Sequence, residues 1–113
     1  MEFIIFLSRL DKQIIDLVIR ANYSIEENKA ICLIDKKFVG FFNKNDKKII
    51  ICTENIKKIA GYNNKKNINN DQNHKTRLFV RRALRHEATH LAQACNNGNP
   101  TEVLKDYQKK FNS

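Results

Sequence analysis

The sequence predicts an α+β fold with an N-terminal helix, a small and mainly antiparallel sheet, a long helix and a short C-terminal helix. Two helical segments show apolar residues at helical spacing, and two runs rich in Ile, Val and Phe lie between them. The chain has 113 residues, so a second hydrophobic core would leave each half too small to be stable. We therefore expect a single domain over residues 1–113.

The first helix is predicted over residues 9–22. Ser8 followed by Asp11 has the spacing of a capping box, in which each residue satisfies the other's backbone N–H group. Apolar residues then recur every three or four positions, which is typical of an amphipathic helix.

The two strands are predicted within residues 30–42 and 48–53, on either side of the turn-forming residues 43–46. Thr53 is predicted to cap a short helix over residues 54–60, which Gly61 would end in the left-handed conformation. Residues 62–75 hold six Asn and little that is apolar, which indicates a solvated loop.

The long helix is predicted over residues 77–96, with Thr76 as its N-cap. Residues 97–100 (Asn-Gly-Asn-Pro) are helix-stopping residues, and Pro100 suits the first position of a final helix over 100–111.

The cysteines are odd in number and widely spaced, at positions 32, 52 and 95. Without a paired pattern they suggest neither a disulfide nor a thiolate metal site, and Cys32 and Cys52 are expected to be small buried hydrophobes. Unpaired cysteines fit a reducing cytoplasm. The apolar run at residues 3–7 is too short to span a membrane, so we expect a cytoplasmic protein with no membrane partner.

The net charge is +9, and the excess lies in the second half of the chain. Residues 61–113 carry 10 Lys and Arg against 4 Asp and Glu. Such a surface could attract nucleic acid or an acidic partner, although no nucleic-acid motif or stacking platform accompanies it. Arginines 77, 81, 82 and 85 form a band that is predicted to be mainly solvated.

A metal-binding motif, His86-Glu87-Ala88-Thr89-His90, lies in the long helix. Residues four apart share one helical face, so both imidazoles can bind one metal ion, and Glu87 can act on a water molecule beside it. A helical wheel places both histidines away from the main core and Cys95 on the core face. The sequence therefore predicts Zn²⁺ held by His86 and His90, with Glu87 as the general base.

A catalytic zinc usually has three protein ligands, and the third is not obvious here. Glu102 could supply it from the final helix, although it could equally be the third residue of a capping box begun by Asn99. Asp106, one turn later, is the alternative third ligand. His74 and Cys95 are weaker candidates.

The segment 81–95 (RRALRHEATHLAQAC) resembles the active-site helix of the zincin metallopeptidases, and 39–52 resembles the edge strand that precedes it. Gln93 and Asn96 stand where the metzincin branch has Gly and a third His, so the resemblance is to a minimal gluzincin. It implies Glu102 as third ligand. It also implies a peptide or protein substrate bound along the edge strand at Gly40, Phe41 and Phe42 by main-chain hydrogen bonds.

Two functions remain open at this point. The first is a zinc metallopeptidase (a hydrolase), which explains the motif and the strand before it. The second is a non-enzymatic binding module on a zincin-like scaffold, whose basic second half would bind nucleic acid or an acidic partner. The sequence favours the peptidase, and it leaves the oligomeric state undefined.

Overall fold

The computed structural model describes residues 1–63, 65 and 71–95, of which residues 71 and 72 are described by their backbone alone. Three α-helices and a three-stranded sheet make up these residues, which confirms the α+β class. The bounds are α1 Arg9–Arg20, β1 Ser24–Glu27, β2 Gly40–Asn43, β3 Lys48–Ile51, α2 Thr53–Ala60 and α3 Asp71–Cys95. Short 3-10 helices cover Glu2–Phe6 and Ala30–Leu33.

Helix α1 begins with the predicted capping box. The Asp11 N–H donates to Ser8 Oγ at 3.2 Å, and the Ser8 N–H donates to Asp11 Oδ2 at 3.0 Å. Ile14 and Val18 face the core from the next turns. The sequence signal at this helix start is therefore confirmed, because it depends on residues only three apart.

Within the described part of the chain the sheet has strand order β1-β3-β2, so β2 is an edge strand and β3 is central. Strands β2 and β3 are antiparallel, with Phe41 opposite Ile50, whereas β1 and β3 are parallel, with Ile25 opposite Ile49. The sheet is thus mixed, with one antiparallel and one parallel pair of strands. Strand β1 was not predicted from the sequence.

The predicted strand over 30–42 is wrong for most of its length. Residues Ala30–Leu33 form a 3-10 helix, and only Gly40–Asn43 pairs with β3. The Asn55 side chain explains this, since its Nδ2 donates to the carbonyls of Cys32 at 2.8 Å and Phe38 at 3.0 Å. These bonds from α2 hold the segment before β2 in a compact, non-extended path.

The expectation of unpaired cysteines is also wrong for two of the three. Cys32 and Cys52 form a disulfide that ties the 3-10 helix to the start of α2, while Cys95 is free and exposed rather than on the core face. The pairing joins positions separated by 20 residues and depends on the path of the whole segment between them.

Two predicted helix caps are corrected by the structure. Cys52, not Thr53, is the N-cap of α2, and the Thr53 hydroxyl instead donates to Glu27 Oε2 at 2.6 Å. Gly61 does end α2 in the left-handed conformation, with φ of 71°. Helix α3 starts at Asp71, so Thr76 is a buried residue inside it and residues 71–75 are helical rather than loop.

The main core lies between α3, α1, β3 and the N-terminal 3-10 helix. Val80, Leu84, Ala88 and Leu91 supply the buried stripe of α3, as the helical spacing predicts. Among the described residues no helix is long and apolar enough to cross a membrane. The predicted helix over 100–111 lies outside the described residues.

Candidate metal centre

Helix α3 brings His86 and His90 together on its exposed face. Their Nε2 atoms are 3.1 Å apart, and the ring centroids are 4.6 Å apart at an interplanar angle of 89°. Two nitrogens bound to one tetrahedral zinc at about 2.0–2.1 Å are about 3.3 Å from each other. The two side chains therefore already have nearly the spacing that chelation of a single zinc ion requires.

Glu87 lies between this pair and the sheet. One ligand atom from each of His86, Glu87 and His90 can be chosen so that all lie within 4.8 Å of one another. Among the described residues they form the group suited to a metal ion. Glu87 is only 5% exposed, because its carboxyl group is enclosed between α3 and β2.

Burial gives the Glu87 carboxyl group an altered acidity. Loss of solvation raises its pKa from the ordinary value of 4.5 to about 7, because the charged form loses more than the neutral form. A carboxyl group with a pKa near neutrality is suited to taking up and returning a proton.

Strand β2 approaches the site through Gly40. A Cβ added at Gly40 would lie 3.1 Å from Glu87 Oε2 and 3.3 Å from Glu87 Cγ, which is closer than nine in ten real Cβ contacts. Glycine at this position thus gives the Glu87 carboxyl group its space. The predicted substrate residue Gly40 does lie beside the predicted base.

The two phenylalanines after Gly40 lie on opposite faces of β2. Phe42 stacks on His90, with ring centroids 6.2 Å apart at 23°, and on its other neighbour Tyr23 at 5.7 Å and 14°. Phe41 packs against Phe38 instead, beside the disulfide. Of the two rings, only that of Phe42 therefore contacts the histidine pair.

The main-chain groups of β2 alternate in direction. Cys52 N–H donates to the Val39 carbonyl at 2.9 Å, in the same antiparallel register as Gly40 opposite Ile51. Hydrogen-bonded and non-hydrogen-bonded pairs alternate along such a ladder. The N–H and C=O groups of Gly40 and Phe42 accordingly point away from β3, toward the edge of the sheet at which the described residues place no further strand.

The candidates for a third ligand have different outcomes. Glu102 and Asp106 both lie outside the described residues. His74 is on the same helix as His86, 12 residues earlier, which places it about 18 Å along the axis and out of reach. Cys95 does not belong to the ligand group that the described residues form.

The band of arginines is less solvated than the sequence indicates. Arg81 Nε donates to Asp11 Oδ2 at 2.7 Å, and the Asp11 side chain is fully buried. Arg85 Nε donates to the Arg81 carbonyl at 3.1 Å and is partly buried, which leaves Arg82 as the exposed member. The pairing with Asp11 joins α3 to α1, which the two sequence segments alone do not reveal.

A pocket beside the motif was not predicted. Its volume is about 550 Å³, and it is lined by Val39, Ile59, Phe79, Arg82, Ala83, His86 and Glu87. No clear sequence signal indicates it, because Ile59 falls between Asn55 and Ile56 on a helical wheel and is therefore expected to face the core.

Comparison with known proteins gives one match. A family described as a domain of unknown function, DUF8637, matches residues 3–113. Neither the curated proteins nor the solved structures contain a significant match.

Proposed function

We propose that this chain, which belongs to the DUF8637 family, is a zinc-dependent metallopeptidase that hydrolyses peptide bonds with Glu87 as general base. The observation that carries the proposal is the arrangement of the two Nε2 atoms, 3.1 Å apart on the exposed face of α3, with the Glu87 carboxyl group beside them. A peptidase of this class needs these three functions within two helical turns.

His86 and His90 would hold the metal as neutral imidazoles. Zinc, when bound, supplies a Lewis acid that polarises the scissile carbonyl and makes a water molecule more acidic. The third protein ligand would come from Glu102 or Asp106. Comparison of zinc affinity in Glu102→Ala and Asp106→Ala distinguishes the two, because only loss of a direct ligand weakens binding strongly.

Glu87 would move the proton. Its carboxylate accepts a proton from the attacking water, and the resulting carboxylic acid donates that proton to the departing amine nitrogen. The enclosed position between α3 and Gly40 limits competing contacts with solvent, and a carboxylate oxygen lies within 4.8 Å of a ring nitrogen of each histidine.

Strand β2 would hold the substrate. The outward N–H and C=O groups of Gly40 and Phe42 offer one edge of a ladder to an extended peptide, which would place its backbone parallel to the sheet plane and next to Glu87. Side-chain contacts with Phe41 would be made on the opposite face of the strand.

The test combines metal content with activity. We expect elemental analysis to find about one zinc per chain, with affinity lost in His86→Ala and His90→Ala. His74→Ala is the matched control, because it removes an exposed histidine from the same helix and should leave zinc bound. Absence of zinc binding by the wild-type protein would contradict the proposal.

Glu87→Gln separates binding from chemistry. The amide keeps the size of the side chain but cannot accept the proton from water, so we expect zinc to remain bound while peptide hydrolysis falls by about 10²- to 10⁴-fold. A mixture of denatured protein segments serves as the first substrate. Hydrolysis at the wild-type rate in this variant would exclude Glu87 as the base.

A further inference from the structure

The pocket beside the motif has an apolar wall built from three parts of the chain. Phe79 and Ala83 come from α3, Ile59 comes from α2, and Val39 comes from the segment before β2. The pocket also includes His86 and Glu87, so anything bound in it lies next to the candidate metal centre. Its volume of about 550 Å³ is large enough for an amino-acid side chain together with its main-chain groups.

The wall residue Ile59 is not explained by core packing. It is 49% exposed, although it lies on a helix whose neighbouring residues Ile56 and Ala60 are buried. An exposed apolar residue that lines a concave surface is suited to contact with a ligand, since the contact would remove its surface from water. The wall therefore favours an apolar group as occupant.

Arg82 adds a positive charge to the same pocket. It is exposed and makes no ion pair within the part of the chain that the structure describes. Arg82 precedes His86 by four residues, so the two side chains leave the same helical face about 6 Å apart along the axis. A guanidinium group in this position can pair with a carboxylate.

We propose that this pocket binds a large apolar side chain whose residue carries or adjoins a carboxylate, and that Arg82 pairs with that carboxylate. Applied to substrates, this proposal rests on the proposed peptidase function, because the residue whose side chain fills the pocket would lie next to the scissile bond. Successive Cα atoms are about 3.8 Å apart and Arg82 lies about one helical turn from His86, so we expect a carboxylate within one residue of the scissile carbonyl to come within range of Arg82. The carboxylate is either the C-terminal group of the peptide or the side chain of a following Asp or Glu.

Binding to the metal-free protein tests the pocket without requiring catalysis. The protein is treated with a chelator, and N-acetyl-leucine, N-acetyl-leucinamide and the amide of N-acetyl-leucyl-aspartate are titrated into it while backbone amide chemical shifts are followed by NMR. We expect at least one of the two carboxylates to bind about fivefold more tightly than leucinamide. The better of the two identifies the source of the carboxylate, and equal binding of all three ligands would overturn the proposal.

Matched variants assign the effect to its residues. Arg82→Gln should abolish the difference between acid and amide, whereas Arg20→Gln, an exposed arginine on α1, should preserve it. Ile59→Ser should weaken binding of the carboxylate ligand about threefold or more, whereas Ile19→Ser, which replaces an isoleucine 59% exposed on α1, should not. An unchanged preference for the acid in Arg82→Gln would also overturn the proposal.

The two proposals fail in different ways. Carboxylate-dependent binding by a protein that takes up no zinc would support the pocket and contradict the peptidase. Zinc-dependent hydrolysis with no selective binding by the metal-free protein would support the peptidase and contradict the pocket.

Discussion

Gly40 leaves the space that the Glu87 carboxyl group occupies, since a Cβ at Gly40 would lie 3.1 Å from Glu87 Oε2. The same Cβ would lie 3.3 Å from the Ile50 carbonyl oxygen, so β2 cannot easily move back to relieve the contact. The position of the proposed base, Glu87, therefore depends on the absence of a Cβ atom at Gly40 in the proposed substrate strand.

Gly40→Ala should displace the Glu87 side chain by a few tenths of an ångström and lower peptide hydrolysis by up to about tenfold, because a displacement of about 1 Å can cost about 10²-fold. Zinc affinity should change little, since the three atoms nearest to the added Cβ belong to Glu87 and Ile50 and not to either histidine. The check is a parallel measurement of kcat/KM and zinc affinity. In a Glu87→Asp background, where the carboxylate is withdrawn, Gly40→Ala should cause much less additional loss, and full additivity would contradict the coupling.

Phe42 is predicted to position His90. Its ring stacks on the His90 ring and is itself supported by Tyr23, so it restricts the rotamer of the histidine. Phe42→Ala should weaken zinc affinity by about tenfold, a loss typical of contacts that orient a metal ligand. Phe41→Ala is the control, because its ring is on the other face of β2. A larger loss of zinc affinity in Phe41→Ala would contradict this role, and calorimetric titration gives both values.

Asp11 is predicted to be a major contributor to stability. Its buried carboxylate accepts hydrogen bonds from Arg81 Nε at 2.7 Å and from Ser8 Oγ at 2.7 Å. Asp11→Ala removes the charge partner of Arg81 and the capping box together, so the free energy of unfolding should fall by about 3–5 kcal/mol. Asp16→Ala, at an exposed position of α1, should change it by no more than about 0.5 kcal/mol. Urea unfolding of both variants provides the comparison, and equal losses would contradict the prediction.

The Cys32–Cys52 disulfide should stabilise the segment that leads into β2. It closes a span of 20 residues, for which chain entropy gives about 3 kcal/mol. We expect the Cys32→Ser, Cys52→Ser double variant to unfold at lower urea concentration, and the Cys95→Ser variant to behave like the wild type. Titration of free thiols in protein taken from its natural compartment tests the bond directly. One thiol per chain would confirm it, whereas three would show a reduced protein and favour the cytoplasmic location predicted from the sequence.

The parts of the molecule that the sequence predicts well are those determined by near neighbours. The capping box of α1 and the buried stripe of α3 depend on residues a few positions apart, and both are confirmed. The same locality lets the spacing of His86 and His90 predict that their rings meet on one helical face.

The parts that the sequence does not reveal depend on distant contacts. Strand β1 is four residues long with two acidic residues, and it exists because it pairs in parallel with β3. The segment before β2 follows the carbonyl contacts of Asn55, and Arg81 turns inward because Asp11 lies on another helix. Each of these partners is too distant in the sequence to affect the local propensity or periodicity from which helices and strands are predicted.

Glu87 should also make the stability of the metal-free protein depend on pH. Its pKa is raised by burial to about 7 in the folded state, against 4.5 ordinarily, so the folded protein binds more protons than the unfolded chain between these values. The stability that neutral Glu87 contributes is complete below about pH 4.5 and is lost as the pH rises through about 7. The loss is at most roughly 3.5 kcal/mol, because the two pKa values differ by about 2.5 and a difference of one corresponds to about 1.4 kcal/mol.

Glu87→Gln should remove this contribution, because the amide does not titrate and keeps nearly the same volume. The variant should therefore unfold at a higher urea concentration than the wild type at pH 8, and the difference between the two should diminish toward pH 5. Both proteins are measured in the presence of a chelator, so that zinc does not alter the charge of the site. His74→Ala changes an exposed residue on the same helix. Its stability toward urea should show the same pH dependence as that of the wild type over the upper part of the range from pH 5 to pH 8. A difference between Glu87→Gln and wild type that is the same at pH 5 and pH 8 would show that the Glu87 carboxyl group is not protonated in the folded protein near neutrality.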